Sequence, residues 1–460
     1  VYTVFHPELA ELATALHARY AEFVSGGWSE ERLGRHQLEG FRRTVAYVRE
    51  RSPMYRARLG GIDPDAITSL NPETLARIPF TTKDDLRTHQ LDVLSRPLSE
   101  AWVYYETTGT TGASTPAPRG NVDSLHTNMA LTFHSETILR RFGADQVVGI
   151  SGPNDLHANG DTFGEVCRNL GIAVTKLWPL SPLVGFDRAL RVMRKLGITG
   201  LICTPSMALS LAAAALEAGT DPRRDFPVKV LMLTGEVAPP ALLDNIGHLW
   251  GAEAHNVLYG SQEASVLGAG AGDGGLYLTP LINHYEVLDP VTLRPAEADA
   301  AGVRCGELVV THLYQGAKPL LRYRTGDLVR VHPAAPGAAI PADRLDVLGR
   351  AGDPVLVNGT AVTTYEVEDL LLRHLRGHTD YRIVIDRPAG ADTDGITLVL
   401  PPGFEPPRAA VDRTVEEASA ALGVPVAVVH GPMAESAGGA GPVSWKTARV
   451  VDRRTAAAPA

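Results

Sequence analysis

The run GLICTPSMALSLAAAALEAGTDPRRDFPVKVLMLTGEVAPPALLDNIGHL, residues 200–249, decides the fold class. Gly200–Thr204 and Val228–Leu233 are short apolar runs rich in Leu, Ile and Val, the composition of strands buried on both faces. Leu209–Glu217 and Ala241–Leu249 follow them with the texture of helices. Strand, helix, strand, helix in immediate succession predicts α/β layers around a largely parallel sheet.

Upstream, Val147–Ile150 reads as another strand. Residues 5–60 read as helices, because Leu9, Leu12, Leu16 and Tyr20, and then Phe41, Val45 and Val48, recur at three- to four-residue spacing. Thr81-Thr82 ahead of Lys83-Asp84-Asp85-Leu86 has the form of a helix cap with acids in the first turn. After about residue 275 the texture turns β-rich, with Leu276–Leu278, Tyr285–Leu288, Glu307–His312 and Leu328–Val331 as strands. Past Gly349, Asp353–Val357, a helix over Tyr365–Leu375 and strands at Arg382–Ile385, Ile396–Leu400 and Val426–Val429 predict a small α+β domain. The expected division is a large domain over 1–348 and a small one over 349–460.

At 460 residues with 44% hydrophobic and 21% charged residues, the chain has the balance of a soluble multidomain protein. No apolar run is long enough for a membrane span. The first residues alternate apolar and charged types without a secretory pattern, and Cys167, Cys203 and Cys305 are too scattered for a framework. Free buried thiols and a cytoplasmic location are therefore expected. A net charge of −9 argues against general nucleic-acid binding. Lys83, Lys176, Lys195, Lys229, Lys318 and Lys446 are the only lysines, which makes each more informative.

Three segments carry chemistry. Thr107-Thr108-Gly109-Thr110-Thr111-Gly112 combines turn-permitting glycines with hydroxyls, either a nest for phosphate oxygens or a plain loop; no Gly-Lys-Ser/Thr follows, so it is not a P-loop. Arg322-Tyr323-Arg324-Thr325-Gly326-Asp327 ends in an aspartate that can accept two hydrogen bonds, from a ribose diol or within an ordinary turn. Tyr259-Gly260-Ser261-Gln262-Glu263 offers a ring for stacking on a base and a carboxylate for a hard cation such as Mg²⁺.

In this order and spacing the segments resemble the acyl- and aryl-adenylating superfamily, specifically its phenylacetate–CoA ligase branch. The resemblance covers nearly the whole chain. Arg51-Ser52-Pro53-Met54-Tyr55-Arg56 and Ile78–Arg87 are similar to the branch's N-terminal signatures, and Thr108–Gly112 to its phosphate loop. Thr234-Gly235-Glu236 resembles its adenine loop, and Gly349-Arg350, Gly359, Val362 and Glu368 the start of its C-terminal domain. Trp445-Lys446-Thr447-Ala448-Arg449-Val450 resembles its C-terminal lysine segment.

The resemblance implies ATP-dependent adenylation of a carboxylic acid to an acyl-AMP, then transfer to a thiol, with a large adenylating domain and a small mobile α+β lid. It implies that Thr108, Gly109, Thr110, Thr111 and Gly112 hold phosphates and that Glu263 places Mg²⁺. Tyr259, Gly235 and Glu236 would enclose the adenine, with Gly260 and Ser261 also binding the nucleotide, and Asp327 would take the ribose, with Arg350 nearby. Lys446 would bridge the carboxylate and the α-phosphate. The acceptor would be CoA or the phosphopantetheine of a carrier protein, and the enzyme a homodimer. A hinge is expected at Arg350–Asp353, where the lid turns between half-reactions.

Three departures stand out. The loop continues Gly112-Ala113-Ser114-Thr115 where relatives have Gly-Lys-Pro-Thr, so a loop lysine is missing and Arg119 is the candidate substitute. Gly352 stands at the hinge where relatives have an acid, and Ala361 and Thr364 replace Asn and Pro on the thiol side. In Gly149–Gly164, His157, Asn159, Gly160 and Asp161 make the expected acid pocket polar, which suits an aromatic acid bearing hydroxyl or amino groups; otherwise these residues cap a helix beginning near Thr162. The Gly268–Gly275 run reads as a flexible hairpin loop, not a dinucleotide fingerprint, and His284 with Cys305 as buried singles, not a metal site. Two alternatives remain: transfer from acyl-AMP directly to an amine or alcohol, or a degenerate nucleotide-binding protein.

Overall fold

The first helices form where the apolar period places them. The computed structural model describes residues 5–107, 114–352, 355–387, 393–433 and 449–454. Pro7–Val24 opens on a proline, whose missing N–H is harmless in a first turn, and buries Leu16, Tyr20 and Phe23. Glu30–Arg51 is capped by the Ser29 side chain and buries Phe41, Val45 and Val48; Glu30 and Glu31 in the first turn and Arg49 and Arg51 in the last suit the helix dipole. Ahead of Lys83–His89, Thr82 and Asp85 close a reciprocal capping box.

The chain divides into two compact units, one of Val1–Ala144, Pro153–Ile172 and Val257–Val347, the other of Asp145–Gly152, Ala173–Asn256 and Leu348–Ala460. The first unit carries antiparallel strands. Asn283–Leu288, Arg304–His312 and Tyr323–His332 pair in sequence, and Ser265–Gly270 pairs with both Leu276–Leu278 and the end of Glu253–Ser261. A separate hairpin joins Val103–Glu106 to Pro116–Arg119. Phe41, Val45, Val48 and Tyr55 from the N-terminal helices pack with Leu308, Val310, Leu320, Leu321 and Tyr323 in one core.

In the second unit Ala173–Lys176, Val147–Ser151, Gly200–Cys203 and Val230–Thr234 lie parallel in that order. Gly185–Leu196 and Pro205–Glu217 make the crossovers, and Pro240–Trp250 follows. The C-terminal part has a four-stranded sheet ordered Val426–His430, Gly395–Leu400, Arg382–Asp386 and Val450–Asp452. Its helix Thr364–Leu372 shares a core with Pro240–Trp250, through Val367 and Leu371 on one side and Leu242, Ile246 and Trp250 on the other. Pro239 gives Pro240–Trp250 no side-chain cap. Asp369 Oδ1 supplies one by accepting from Ala241 N at 3.0 Å, and Asn245 Nδ2 donates to His378 O at 2.9 Å. One seam between the units falls at Val347/Leu348, and Leu348–Ala460 groups with Asp145–Gly152 and Ala173–Asn256.

Two expectations need correcting. Gly268–Gly270 lie inside a strand, not a loop, because a Cβ on Gly268 would meet the Leu345 side chain at 3.0 Å and Tyr277 O at 3.2 Å. Cys305 is exposed rather than buried, because the first two residues of its strand run beyond the covered core. Burial pushes the Cys167 thiol up to about 12, so it is chemically inert at neutral pH. His284 is half-buried, edge-on to Phe41. Among the described residues no group of three ligating side chains could hold a metal, and no helix is long and apolar enough to cross a membrane.

Candidate functional site

In the first unit, the 321–328 segment is held from behind by the N-terminal signatures. Tyr55 accepts from Leu321 N at 3.0 Å through its hydroxyl, and Thr81 Oγ1 donates to Leu321 O at 2.7 Å. Arg322 adopts a positive φ of 44°, stacks 4.0 Å from the Phe80 ring and pairs with Glu286. That bracing places Asp327, whose Oδ2 accepts from the Tyr259 hydroxyl at 2.8 Å. Tyr259 owes its position to a bulge at Tyr259/Gly260, where a Cβ on Gly260 would fall 2.1 Å from Ser265 O.

Three residues beyond Gly260, Glu263 is buried with its Oε1 2.8 Å from Lys83 Nζ. Burial would raise its pKa, but the Lys83 ammonium, its hydrogen bond and the more distant Lys318 bring the carboxyl down to about 2. Arg119 is also buried and donates through Nη2 to Gln262 O at 2.8 Å. The two ends of the Thr/Gly-rich stretch are fastened together, Thr107 N to Thr115 O at 3.3 Å and Thr115 N to Thr107 Oγ1 at 3.0 Å. Ser114 Oγ donates to Glu106 Oε2 at 3.0 Å.

The acid-pocket candidates lie in the same unit. The helix starts at Asn159, three residues before the expected Thr162, so Asp161 sits inside its first turn instead of capping it. Its Oδ2 accepts from the Tyr105 hydroxyl at 2.8 Å. Burial and that carboxylate push the Tyr105 phenol well above its usual range. Tyr105, Arg119, Asn128, Asp161 and Ser265 line a polar cavity of about 10 Å³, the space of one small group. Asn159 is buried and Gly160 is enclosed in the same turn, while the Asn159 N–H points to His157 Nδ1 at 3.2 Å.

Other candidates belong to the second unit. Gly235 has a positive φ of 88°. Glu236 Oε2 accepts from Ser206 N at 2.9 Å and Ser206 Oγ at 2.8 Å, satisfying a first-turn N–H of Pro205–Glu217. Arg350 ends its strand exposed, after Gly349 at φ 130°. Thr108, Gly109, Thr110, Thr111 and Gly112, Lys446 and the hinge-end Asp353 lie outside the described residues.

The sequence reading missed a buried polar chain that starts at Glu236. Arg449 Nη2 donates to Ser206 Oγ at 3.3 Å, Nη1 bonds Asp380, and the guanidinium lies 4.5 Å from the Tyr381 ring centre. The Tyr381 hydroxyl then donates to Glu368 Oε1 at 3.0 Å. Burial raises Glu368 to about 7 against the pull of Tyr381 and Arg449. A carboxyl raised above its unfolded 4.5 contributes stability that is fully present below 4.5 and lost as pH rises to about 7. We expect Glu368→Gln to flatten that window, gaining about 1–3 kcal/mol relative to the parent between pH 5 and pH 8, read by urea unfolding.

No family model matches the chain. It is 30% identical over 379 residues to phenylacetate-coenzyme A ligase of Thermus thermophilus, covering 79% of this chain and 80% of that one. To phenylacetate-coenzyme A ligase of Pseudomonas putida it is 28% identical over 394 residues, covering 81% and 83%. Its fold is similar to that of 2-hydroxyisobutyryl-CoA ligase in the postadenylation state, at a TM-score of 0.74, 22% identity and coverage of 93% and 90%. The same ligase in complex with 2-HIB-AMP and CoA gives a TM-score of 0.64 at 23% identity, covering 93% and 91%.

Proposed function

Because the chain belongs to the acyl- and aryl-adenylating superfamily, we propose that it activates a carboxylic acid with ATP and transfers the acyl group to CoA. One observation carries this reading. The 259–263 segment of the first unit gathers the Tyr259–Asp327 pair, the Arg119 hydrogen bond to Gln262 O and the Lys83–Glu263 ion pair within five residues.

Attack of a carboxylate on the α-phosphorus of ATP brings two anions into line, so positioning and fixed charge must do most of the work. In this reading Asp327 accepts from the ribose hydroxyls while Tyr259, already bonded to it, holds its orientation. Arg119 fixes the backbone just before Glu263, and Lys83 balances that carboxylate, which would be the residue to hold a metal. A buried carboxylate ionised at neutral pH suits Mg²⁺, which keeps most of its sites for water and phosphate oxygens. When bound, the ion would neutralise polyphosphate charge. The nucleotide roles of Thr108–Gly112, Gly235, Glu236, Ser261 and Arg350, and the α-phosphate role of Lys446, are proposed on the resemblance.

The relatives are named for phenylacetate. The Asp161–Tyr105 pair and its polar neighbours favour an aromatic acid with a hydroxyl or amino substituent here, since such groups need buried partners. ATP–pyrophosphate exchange with substituted and plain benzoic and arylacetic acids tests both parts. Exchange should depend on the acid, prefer substituted members, and fall at least about 100-fold in Lys446→Ala. Thioester formation with CoA should follow. Exchange without CoA consumption would shift the acceptor to a carrier-protein thiol, an amine or an alcohol; no exchange with any acid would overturn the reading.

A further inference from the structure

Among the described residues, Arg119 is a buried cation with no carboxylate at ion-pair distance. It is 7% exposed and lines the polar cavity of about 10 Å³ that Asp161 also lines. Its one side-chain hydrogen bond among those residues runs from Nη2 to Gln262 O at 2.8 Å. Asp123 feels the charge of the guanidinium, but its Oδ2 accepts instead from Gly120 N at 2.8 Å and Ala317 N at 2.9 Å. A guanidinium carries several N–H donors in a rigid fork, and donors left unmet away from water are costly.

Other polar walls of the cavity are engaged within the protein. Trp102 Nε1 donates to Ser124 Oγ at 2.9 Å, Thr127 Oγ1 to Asp123 O at 2.9 Å, and Asn128 Nδ2 to Glu165 Oε2 at 2.7 Å. Asp161 Oδ2 accepts from the Tyr105 hydroxyl, yet a carboxylate has room for more than one donor. A group entering this space therefore meets both a donor fork and a carboxylate. A hydroxyl satisfies both, accepting from Arg119 and donating to Asp161, and the volume is that of a single water or hydroxyl. An aromatic amine donates but accepts poorly, because its lone pair is delocalised into the ring. A methoxy group accepts but cannot donate, and its methyl exceeds the space; a second carboxylate would set an anion beside Asp161.

We infer that Arg119 and Asp161 are specificity-determining residues for a hydroxyl on the acid, so that the substrate is a hydroxy-substituted aromatic acid rather than an amino-substituted one. This deepens the acid preference proposed above and rests on that reading. Arg119 supplies the donor, Asp161 the acceptor, and Tyr105 fixes the carboxylate by donating to it from the other strand of the same hairpin as Arg119.

The test is kcat/KM for ATP–pyrophosphate exchange by the full chain, with benzoic and arylacetic acids carrying hydroxyl, amino, methoxy or hydrogen at one ring position at a time. At the best position for hydroxyl, the hydroxy compound should exceed the amino compound by about 10-fold and the methoxy and unsubstituted compounds by about 100-fold. Asp161→Asn turns part of the acceptor into a donor and should cut the hydroxy-to-unsubstituted ratio by about 10- to 30-fold. If Asp161 only supports its helix, the variant lowers exchange with every acid alike and leaves that ratio unchanged, which would overturn the inference. Should Asp161→Asn not fold, the substrate series in the parent decides. Hydroxy and unsubstituted acids that exchange equally at every position would leave the cavity to an ordered water and sink the inference alone, as would an amino compound that matches the hydroxy one. No exchange with any acid would sink the functional reading, and this inference with it.

Discussion

Glu263→Gln should lower acid-dependent ATP–pyrophosphate exchange by about 100- to 1,000-fold, while AMP binding stays within about 3-fold of the parent. The substitution keeps the shape of the side chain and removes the charge. Two consequences follow. A metal-bound triphosphate loses its one buried anionic anchor from the 259–263 segment. Lys83, about a third exposed, loses its partner but can turn toward water, so the stability loss stays near the surface-pair scale of about 1 kcal/mol rather than that of a sealed ion pair. Because Glu263 is held near 2, its charge does not change between pH 5 and pH 9, and exchange in the parent should show no titration from it. Exchange measured across a Mg²⁺ series distinguishes the outcomes. A variant that recovers at high Mg²⁺ has lost metal affinity, whereas one that keeps full activity at low Mg²⁺ removes Glu263 from the mechanism.

Asp327→Ala should weaken ATP and AMP together by about 30- to 100-fold, or about 2–3 kcal/mol, the scale of charged hydrogen bonds to a ribose. It also removes the acceptor of the Tyr259 hydroxyl at 2.8 Å. Tyr259→Phe removes that hydrogen bond but keeps the Asp327 carboxylate, and should cost far less. The decisive comparison uses 2′,3′-dideoxy-ATP. If Asp327 holds the ribose hydroxyls, this nucleotide binds the parent about as weakly as ATP binds Asp327→Ala, and the two losses do not add. Additive losses would place the ribose elsewhere.

What the sequence revealed was local. The apolar spacing of Leu9 to Tyr20 and of Phe41 to Val48, the Thr82 cap, and the strand–helix alternation through 200–249 all appear as read, because each depends on residues within a turn or two. What escaped depends on distant partners. Lys83 meets Glu263, Lys318 meets Pro116, and Arg449 reaches Ser206, across separations that no periodicity encodes. A scarcity of lysine was the one signal that pointed toward the first two. Asp161 looked like a cap because helix starts are hard to place within a few residues, and only the fold brings Tyr105 to it. Gly268–Gly270 looked like a loop because glycine both bends a chain and lets neighbouring side chains approach closely.

The bulge at Gly260 also limits how this site can diverge. A Cβ there would overlap Ser265 O at 2.1 Å, so any codon change that adds a side chain must first displace a paired strand. Tyr259 is tied on the other side to Asp327. Gln262 is tied through its side chain instead, its Oε1 accepting from Ala158 N at 3.4 Å and its Nε2 donating to Leu156 O at 3.2 Å, so a change there would be felt in the turn that leads to the 157–161 residues. A change in acid preference would then enter through the 157–161 turn, with the 259–260 step kept unchanged.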